Sequence, residues 1–299
     1  GVAGAIDDLS DGKSGGTDFT GSMILGHETT GTLDAAQYNT AVGINAMDAI
    51  TTGDRNTAIG YNALTSNTSG NENTALGMWA LNTNTTGIEN TALGSRTLYS
   101  NDSGGYNTAL GYYALYDNTT GSGNTALGSR TLIKNTTGTL NTAMGTRALQ
   151  ENITGTENTA TGYYALRLNT TGDYNTASGS RSLYSNTTGD QNTALGYRSL
   201  YTNDKSNYNV ALGYGALESH TGGASGNTYN TAVGYKALNA SSVGGNNVAL
   251  GYHALYSNVS GHRNIAIGHN ALDEADAEHD NLAIGNYALG AAINDAEYN

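Results

Sequence analysis

The 299-residue sequence contains no cysteine and no proline, and it has only one phenylalanine and one tryptophan. Without cysteine, neither a disulfide framework nor a thiolate metal site can form, so packing and hydrogen bonds must supply the stability. Charged residues make up only 12% of the chain, whereas disordered chains are richer in charge or proline. A net charge of -13 disfavours binding to DNA or RNA, because an acidic surface repels phosphate. No apolar run approaches the roughly 18 residues of a membrane span, so no membrane insertion is expected.

A 17-residue repeat dominates the chain and reads N-T-A-L-G-x-x-A-L-x-x-N-T-T-G-x-x. We number its positions from one to seventeen, beginning with the first asparagine. The fifteen copies open at Asn39, Asn56, Asn73, Asn90, Asn107, Asn124, Asn141, Asn158, Asn175, Asn192, Asn209, Asn230, Asn247, Asn264 and Asn281. The copy within 209–229 carries a four-residue insertion. Tandem repeats of this kind predict a solenoid, in which each coil stacks on the next.

The repeat also predicts how the chain is organised. Residues 22–38 contain a degenerate copy that we interpret as a capping coil, and residues 1–21 as a leader or a junction to a missing upstream region. Residues 39–299 form the fifteen-copy repeat domain. Because Asn299 resembles the start of a further copy, we expect the natural protein to continue beyond it or to be cleaved there.

The repeated positions predict an all-β solenoid with two short strands in each coil, N-T-A-L-G and x-A-L-Y. Glycine at positions five and fifteen would break any helix of useful length. Position one is asparagine in all fifteen copies, which predicts a ladder of stacked side-chain amides. Glycine at position five allows close backbone approach, and leucine at position nine fills a thin core. Representative residues of this structural ladder are Asn56, Asn73, Asn90, Gly60, Gly77, Gly94, Leu64, Leu81 and Leu98.

Positions eight and nine, usually alanine and leucine, suggest self-association. In a strand, adjacent residues point to opposite faces, so this second strand would be apolar on both. A thin coil has room for one internal core, and the other face is most simply buried against another copy of the chain. Alanine is nevertheless small enough to be exposed.

Segments such as A-I-G-Y-N-A-L at 58–64 resemble the repeats in YadA-like heads of trimeric autotransporter adhesins. The 17-residue unit with its N-T-T-G turn is more similar still to repeats in bacteriophage tail fibres. The resemblance covers residues 22–299. It implies a homotrimer of intertwined left-handed β-rolls that presents or spaces a receptor-binding surface. Related fibres often carry a C-terminal chaperone that cleaves itself away after trimerisation.

Tyrosine and arginine are concentrated at positions six, seven and ten, and both residue types are favoured at interfaces. We therefore expect these positions to bind a host surface glycan or a protein receptor. The alternative is purely structural, with tyrosines stacking between coils and arginines pairing with turn acids such as Glu89, Glu157, Asp173 and Asp190. The candidate contact residues are Tyr112, Tyr163, Tyr197, Tyr184, Tyr201, Arg96, Arg130, Arg147, Arg181 and Arg198, with His220 and Tyr229 from the insertion.

Two further patterns leave alternatives open. Position two is threonine in eleven copies, as on the flat ladders of ice-binding proteins, but aliphatic replacements such as Val210 and Ile265 suggest partial burial. Ten N-x-S/T sequons occur, nine of them at position twelve, where turn chemistry explains them without glycosylation.

The six histidines form no recognised metal-binding motif, and no nucleophile motif or P-loop is present. The sequence therefore predicts a non-enzymatic extracellular segment without cofactor or metal, most simply a phage tail fibre or bacterial adhesin for host attachment. The alternatives are a monomeric ice- or polymer-binding solenoid and a self-assembling structural filament.

Overall fold

The computed structural model describes residues 12–14, 23–25, 36–222 and 226–290. The chain forms two compact units, Gly1–Thr146 (unit 1) and Arg147–Asn299 (unit 2). Both are built as parallel β-solenoids with one three-residue strand in each coil, and the described residues contain no helix. The predicted all-β solenoid with a 17-residue repeat is confirmed.

The described residues of unit 1 form nine strands. They are β1 (Gly12–Ser14), β2 (Met23–Leu25), β3 (Thr40–Val42), β4 (Thr57–Ile59), β5 (Thr74–Leu76), β6 (Thr91–Leu93), β7 (Thr108–Leu110), β8 (Thr125–Leu127) and β9 (Thr142–Met144). The described residues of unit 2 form eight. They are β10 (Thr159–Thr161), β11 (Thr176–Ser178), β12 (Thr193–Leu195), β13 (Val210–Leu212), β14 (Thr231–Val233), β15 (Val248–Leu250), β16 (Ile265–Ile267) and β17 (Leu282–Ile284).

Strand pairing follows the repeat. From β2 to β9, and again from β10 to β17, each strand pairs in parallel with the strand of the next coil, as Ala58 does with Ala75. The offset is one repeat except between β13 and β14, where the insertion lies and Ala211 pairs with Ala232. In the predicted capping coil, β2 pairs with β3 in this same register, and in the predicted leader β1 runs antiparallel to β2. Residues 36–38 of the capping coil are also described, and the rest of both segments lies outside the described residues.

The second strand predicted in each coil is wrong, because positions six to eleven form consecutive turns. In the coil that opens at Asn56, the Ala63 N–H donates to the Gly60 carbonyl at 3.2 Å and closes a tight turn. Positions seven and nine adopt positive φ, as in Asn62 (φ 53°) and Leu64 (φ 52°). Peptide groups around them bond in both directions, since Asn62 N–H donates to Ile44 O of the preceding coil and Leu64 N–H to Ala80 O of the following coil. The ladder between coils therefore continues without strand geometry.

These turns also overturn the argument for a subunit interface at positions eight and nine. The positive φ angles at positions seven and nine turn the chain so that the side chains of positions eight and nine both lie inside the coil. Ala63 and Leu64 are each 0% exposed. Positive φ at two positions breaks the alternation that a strand would impose. Each leucine buried in this way contributes about 1.5–3 kcal/mol of transfer free energy.

Two asparagine ladders complete the core. At position one, Asn73 Nδ2 donates to Asn56 Oδ1 at 3.1 Å and to Gly87 O at 2.8 Å. At position twelve, Asn84 Nδ2 donates to Asn67 Oδ1 at 3.0 Å and to the same Gly87 O at 3.0 Å. Both amides thus converge on the position-fifteen carbonyl, so polar groups buried in the core are hydrogen-bonded. Sequence analysis assigned the position-twelve asparagine to turn chemistry alone and missed the second ladder.

Glycine at position five is required by both conformation and space. Gly60 has φ 139°, and a Cβ there would lie 2.7 Å from the Gly77 carbonyl carbon in the next coil. Position three is alanine for a similar reason of space, because its methyl group fills the narrow interior beside the position-one amide. The burial pattern shows which face of each strand lies inside the coil. Asparagine at position one and alanine at position three point inward, while threonine at position two and leucine at position four point outward.

Candidate interaction surfaces

The outward side chains of the strands form a surface that we call the strand face, made of positions two and four. Position four is aliphatic in most coils and is exposed or half-buried even though the core is already filled. In unit 1 it is occupied by Val42, Ile59, Leu76, Leu93, Leu110, Leu127 and Met144, and in unit 2 by Thr161, Ser178, Leu195, Leu212, Val233, Leu250, Ile267 and Ile284. These side chains form a regular aliphatic row rather than scattered apolar residues, and contiguous exposed apolar patches are typical of interaction surfaces.

The strand face becomes wholly aliphatic in the last three coils of unit 2. Their strands read V-A-L, I-A-I and L-A-I, so position two no longer contributes threonine. Exposure reaches 54% at Leu282 and 65% at Ile284. The aliphatic replacements at position two were expected to indicate partial burial. Val210 is half-buried, whereas Val248, Ile265 and Leu282 are exposed. The threonines at position two also point outward, and all are exposed or half-buried.

Tyrosines at position six form a stack on one side of unit 2. Tyr197, Tyr214, Tyr235 and Tyr252 follow one another at centroid distances of 5.2 to 5.3 Å, and His269 continues the stack at 4.9 Å. Because each ring face lies against its neighbour, these rings offer edges and hydroxyl groups to solvent. Stacking between coils, the structural alternative for these residues, is present here. It does not remove the phenol hydroxyls from contact with a partner.

Arginines and tyrosines of positions seven and ten form a second surface of unit 2, the Arg–Tyr surface, consisting of Arg147, Tyr164, Arg167, Arg181, Tyr184 and Arg198. Arg167 lies over the rings of Tyr164 at 5.0 Å and Tyr184 at 5.6 Å. Arg147 lies over Tyr164 at 5.5 Å and donates to its hydroxyl. The pKa of the Tyr164 hydroxyl lies below its ordinary value because of its hydrogen bond with Tyr163 and the neighbouring Arg147 and Arg167.

The remaining predicted residues of unit 2 border this surface. Tyr163 lies 4.0 Å from Tyr164 between ring centroids, and Tyr201 stacks on Tyr184 at 5.2 Å. Arg198 lies over Tyr201 at 4.4 Å and pairs with Glu218 at 2.9 Å. Sequence analysis did not single out Tyr164 and Arg167, although both stand in the positions that carry the other tyrosines and arginines.

Unit 1 has a smaller cluster of the same kind. Arg96 lies between the rings of Trp79, at 4.4 Å, and Tyr113, at 5.3 Å. Tyr112 meets Tyr113 edge-on at 4.4 Å. Arg130, also predicted as a contact residue, is exposed two coils further on. Trp79 and Tyr113 were not singled out from the sequence, and the signal that would have found them is their place at position seven.

The turn acids do not neutralise these arginines as the structural alternative expected. Asp173 and Asp190 lie at position sixteen, where their Oδ1 atoms accept the backbone N–H groups of Thr156 and Asp173 at 2.7 and 2.8 Å. Glu157, at position seventeen, lies beside Tyr174 and raises the pKa of that phenol. In the described part of the chain these turn acids are therefore not paired with the arginines, and the acid that does pair with one of them is Glu218 at position ten.

The insertion brings a buried histidine rather than a surface one. His220 was predicted as a contact residue, but it occupies position twelve and is 0% exposed, so it belongs to the core. Its Nε2 lies 3.1 Å from Thr228 Oγ1, and its Nδ1 lies 3.4 Å from Ser241 Oγ. Burial lowers the pKa of His220 to about 4. Tyr229 is exposed, as a contact residue would be, and stacks on Tyr208 at 4.9 Å.

Most sequon asparagines lie inside the coils. The nine at position twelve are buried and donate to core carbonyls or to each other, as Asn118 does to Gly121 O at 2.9 Å. Asn239 is half-buried at position ten and donates to Gly215 O at 2.8 Å. Their hydrogen bonds have a structural role, as the interpretation from turn chemistry expected, but at position twelve they also form the buried amide ladder that this interpretation missed.

No group of three or more histidine, aspartate and glutamate side chains within residues 36–222 and 226–290 is placed to hold a metal ion. A separate search of the described residues found no helix that could cross a membrane. Comparison of the chain with protein-family models gave no match, and comparison with curated proteins gave none either.

Proposed function

We propose that the chain is a structural and receptor-binding segment of an extracellular fibre or adhesin, such as a phage tail fibre, and that it works as a homotrimer. The strand face is the observation that carries this proposal. A solenoid coil whose core is already filled by positions three, eight and nine still displays aliphatic side chains at position four. Further copies of the chain would cover that surface.

A second copy fits the strand face because both partners share one repeat. The rows of aliphatic side chains recur with the spacing of the coils, so two or three strand faces can meet with every row in register. The last three coils, with no threonine at position two, would form the most apolar part of the contact.

The test is the solution mass of the chain by light scattering after size exclusion. A mass near three times 30.8 kDa supports the trimer, and a mass near 30.8 kDa contradicts it. The substitutions Leu250→Thr and Ile267→Thr together should shift the mass towards a single chain. Threonine occupies position four naturally at Thr161, so the fold should tolerate it.

The matched control is Val243→Thr with Val259→Thr. These valines are also 39% exposed, but they lie in turns away from the strands. The control should leave the mass unchanged. Equal effects of the two pairs would mean that the strand face is not the contact between copies.

Ice or polymer binding by a single chain is a second candidate, favoured by the outward threonines in every strand from β3 to β9 in unit 1. Each coil, however, offers one threonine beside an aliphatic residue rather than two threonines. A monomeric mass together with thermal hysteresis in an ice-growth assay would support this function in place of the first.

A further inference from the structure

Arg147 and Arg167 of the Arg–Tyr surface are held in place by tyrosine rings and hydroxyls but use only some of their hydrogen-bond donors. Arg167 donates to the Tyr184 hydroxyl and to Gln150 Oε1, the latter at 3.2 Å. Arg147 donates to the Tyr164 hydroxyl. A guanidinium group has five N–H donors, so most of them point away from any protein acceptor. Stacking on tyrosine fixes the guanidinium plane and lowers the entropy lost when it binds an anion.

Three of these arginines have no carboxylate partner in the parts of the chain that the structure describes. The ion pairs there join Arg55 with Glu72, Lys134 with Asp117, Arg198 with Glu218, and Arg263 with Asp280. Arg147, Arg167 and Arg181 are absent from these pairs. These three arginines therefore carry positive charge on a chain of net charge -13, and the nearby Glu151 carboxylate bonds to Gln150, which accepts from Arg167, rather than to an arginine. Local charge of this sign attracts anions and raises their concentration at the surface.

We propose that the Arg–Tyr surface binds a linear acidic polysaccharide, with arginines contacting its carboxylate or sulfate groups and phenol hydroxyls contacting its sugar hydroxyls. This inference rests on the proposed receptor-binding function and specifies the ligand class. Equivalent side chains recur from coil to coil, as shown by the 5.2 Å between Tyr184 and Tyr201. A polymer that repeats its acidic groups would therefore make several weak contacts at once, which together give useful affinity.

The ring geometry favours a polysaccharide over a single-stranded nucleic acid. Nucleic-acid bases bind by stacking on exposed aromatic faces. Here the faces of Tyr164 and Tyr184 lie against guanidinium groups, and Tyr184 also lies against Tyr201. The groups that remain are N–H donors and hydroxyls, which suit a polymer rich in hydroxyl groups.

The experiment is titration calorimetry of the whole chain with four probes: alginate oligosaccharides, dextran sulfate, neutral dextran and single-stranded oligo-dT. We expect binding of alginate, of dextran sulfate, or of both, and none of neutral dextran. The two charged probes distinguish carboxylate from sulfate recognition. Tighter binding of oligo-dT than of either polysaccharide, or no binding of any polyanion, would overturn the proposal.

The decisive variant replaces Arg147, Arg167 and Arg181 by glutamine. We expect at least a tenfold loss of affinity for the acidic polysaccharide. The matched control replaces Arg55, Lys134 and Arg263 by glutamine, which removes the same charge from residues in exposed ion pairs. Equal losses would show attraction by total charge alone and would contradict a specific surface.

Failure of this inference remains distinguishable from failure of the proposed function. Circular dichroism and light scattering are measured on both triple variants, since neither alters the strand face. A chain that assembles normally but binds no polyanion keeps the proposed assembly and loses the polysaccharide ligand. A monomeric chain that binds alginate through these arginines would keep the polysaccharide ligand and contradict the proposed assembly.

Discussion

At the scale of single residues, the most consequential feature is a leucine in the left-handed backbone region. Position nine adopts φ near 50° in coil after coil, for example in Leu81, Leu115 and Leu166. This conformation is unfavourable for a branched side chain, at about 1–3 kcal/mol each. It is retained because the same residue becomes fully buried and its N–H donates to the next coil. Strain at one residue is thus offset by packing and by the ladder.

His220 is a second residue whose environment has a measurable consequence. Its folded-state pKa of about 4 lies below the ordinary 6.5, because burial disfavours the charged form. The unfolded chain therefore binds this proton more readily, and stability falls as the pH drops from about 6.5 through about 4. At pH 4 and below the loss approaches about 3 kcal/mol, and above pH 6.5 the histidine has no effect on the pH dependence.

We predict that His220→Asn removes this part of the acid sensitivity. Asparagine fills position twelve in most other coils and does not titrate in this range. The measurement is the free energy of unfolding by denaturant between about pH 4 and pH 8 for both proteins. Their difference should change with pH only below about 6.5. A difference that stays constant down to pH 4 would mean that His220 is accessible to protons in the folded chain.

At the scale of elements, the coils are joined by ladders that depend on the same residue type in successive copies. Where position twelve is not asparagine, the preceding amide loses its donor. Asn203 Oδ1, next to His220, and Asn258 Oδ1, next to Ala275, are both buried without a hydrogen bond. A buried acceptor without a partner costs about 1–3 kcal/mol. We therefore expect the contacts between coils of unit 2 to be weakest where the position-twelve ladder lacks these hydrogen bonds.

The substitution Ala275→Asn should restore the hydrogen bond that Asn258 Oδ1 lacks. Its Nδ2 would donate to Asn258 Oδ1 and to the Glu278 carbonyl, which already accepts from Asn264 Nδ2 at 2.7 Å. We expect a gain of about 1 kcal/mol in the free energy of unfolding, measured by denaturant titration. Ala275→Leu adds a side chain of similar size without the amide and should give no gain. If both variants stabilised equally, cavity filling rather than the ladder would be the cause.

The sequence predicts the elements that repeat and misses those that break an expected rule. The invariant Asn, Ala and Gly columns predict the 17-residue coil, the position-one ladder and the close approach at Gly60. The position-nine leucines are correctly assigned to the core. A second strand was predicted because alternating faces were assumed, and no residue type at Leu64 signals positive φ. The burial of His220 was missed because it was assigned to the insertion, although it stands 17 residues after Asn203 and therefore occupies position twelve.

The candidate surfaces, too, were predictable where one residue type repeats at one position and were missed elsewhere. Stacked tyrosines could be predicted because identical residues recur every 17 positions. The cation–aromatic contacts of Arg167 could not, because they join position ten of one coil with position seven of the same coil and position ten of the next. Contacts between unlike residues or between different repeat positions depend on the path of the backbone in the turn. The hydrophobic pattern of the sequence did not predict that path.

At the scale of the whole molecule, charge and apolar surface are separated. The strand face carries aliphatic and threonine side chains, turn acids such as Asp173 and Asp190 lie at position sixteen, and the Arg–Tyr surface lies at positions seven and ten. Copies that meet through an uncharged surface still repel each other, because each chain has a net charge of -13. Binding of a polyanion by arginines is instead an attraction between opposite charges. The two proposed activities should therefore respond to salt in opposite directions.

We predict that raising sodium chloride from about 0.05 M to about 0.5 M strengthens self-association and weakens polysaccharide binding. Screening reduces the repulsion between acidic chains, whereas added ions compete with the polymer for the arginines. The measurements are the mass by light scattering at several chain concentrations and the affinity for alginate by calorimetry, each at both salt concentrations. Weakening of both would indicate that ion pairs, rather than the aliphatic rows of the strand face, hold the copies together. A polysaccharide affinity that does not change with salt would contradict recognition of the acidic groups by Arg147, Arg167 and Arg181.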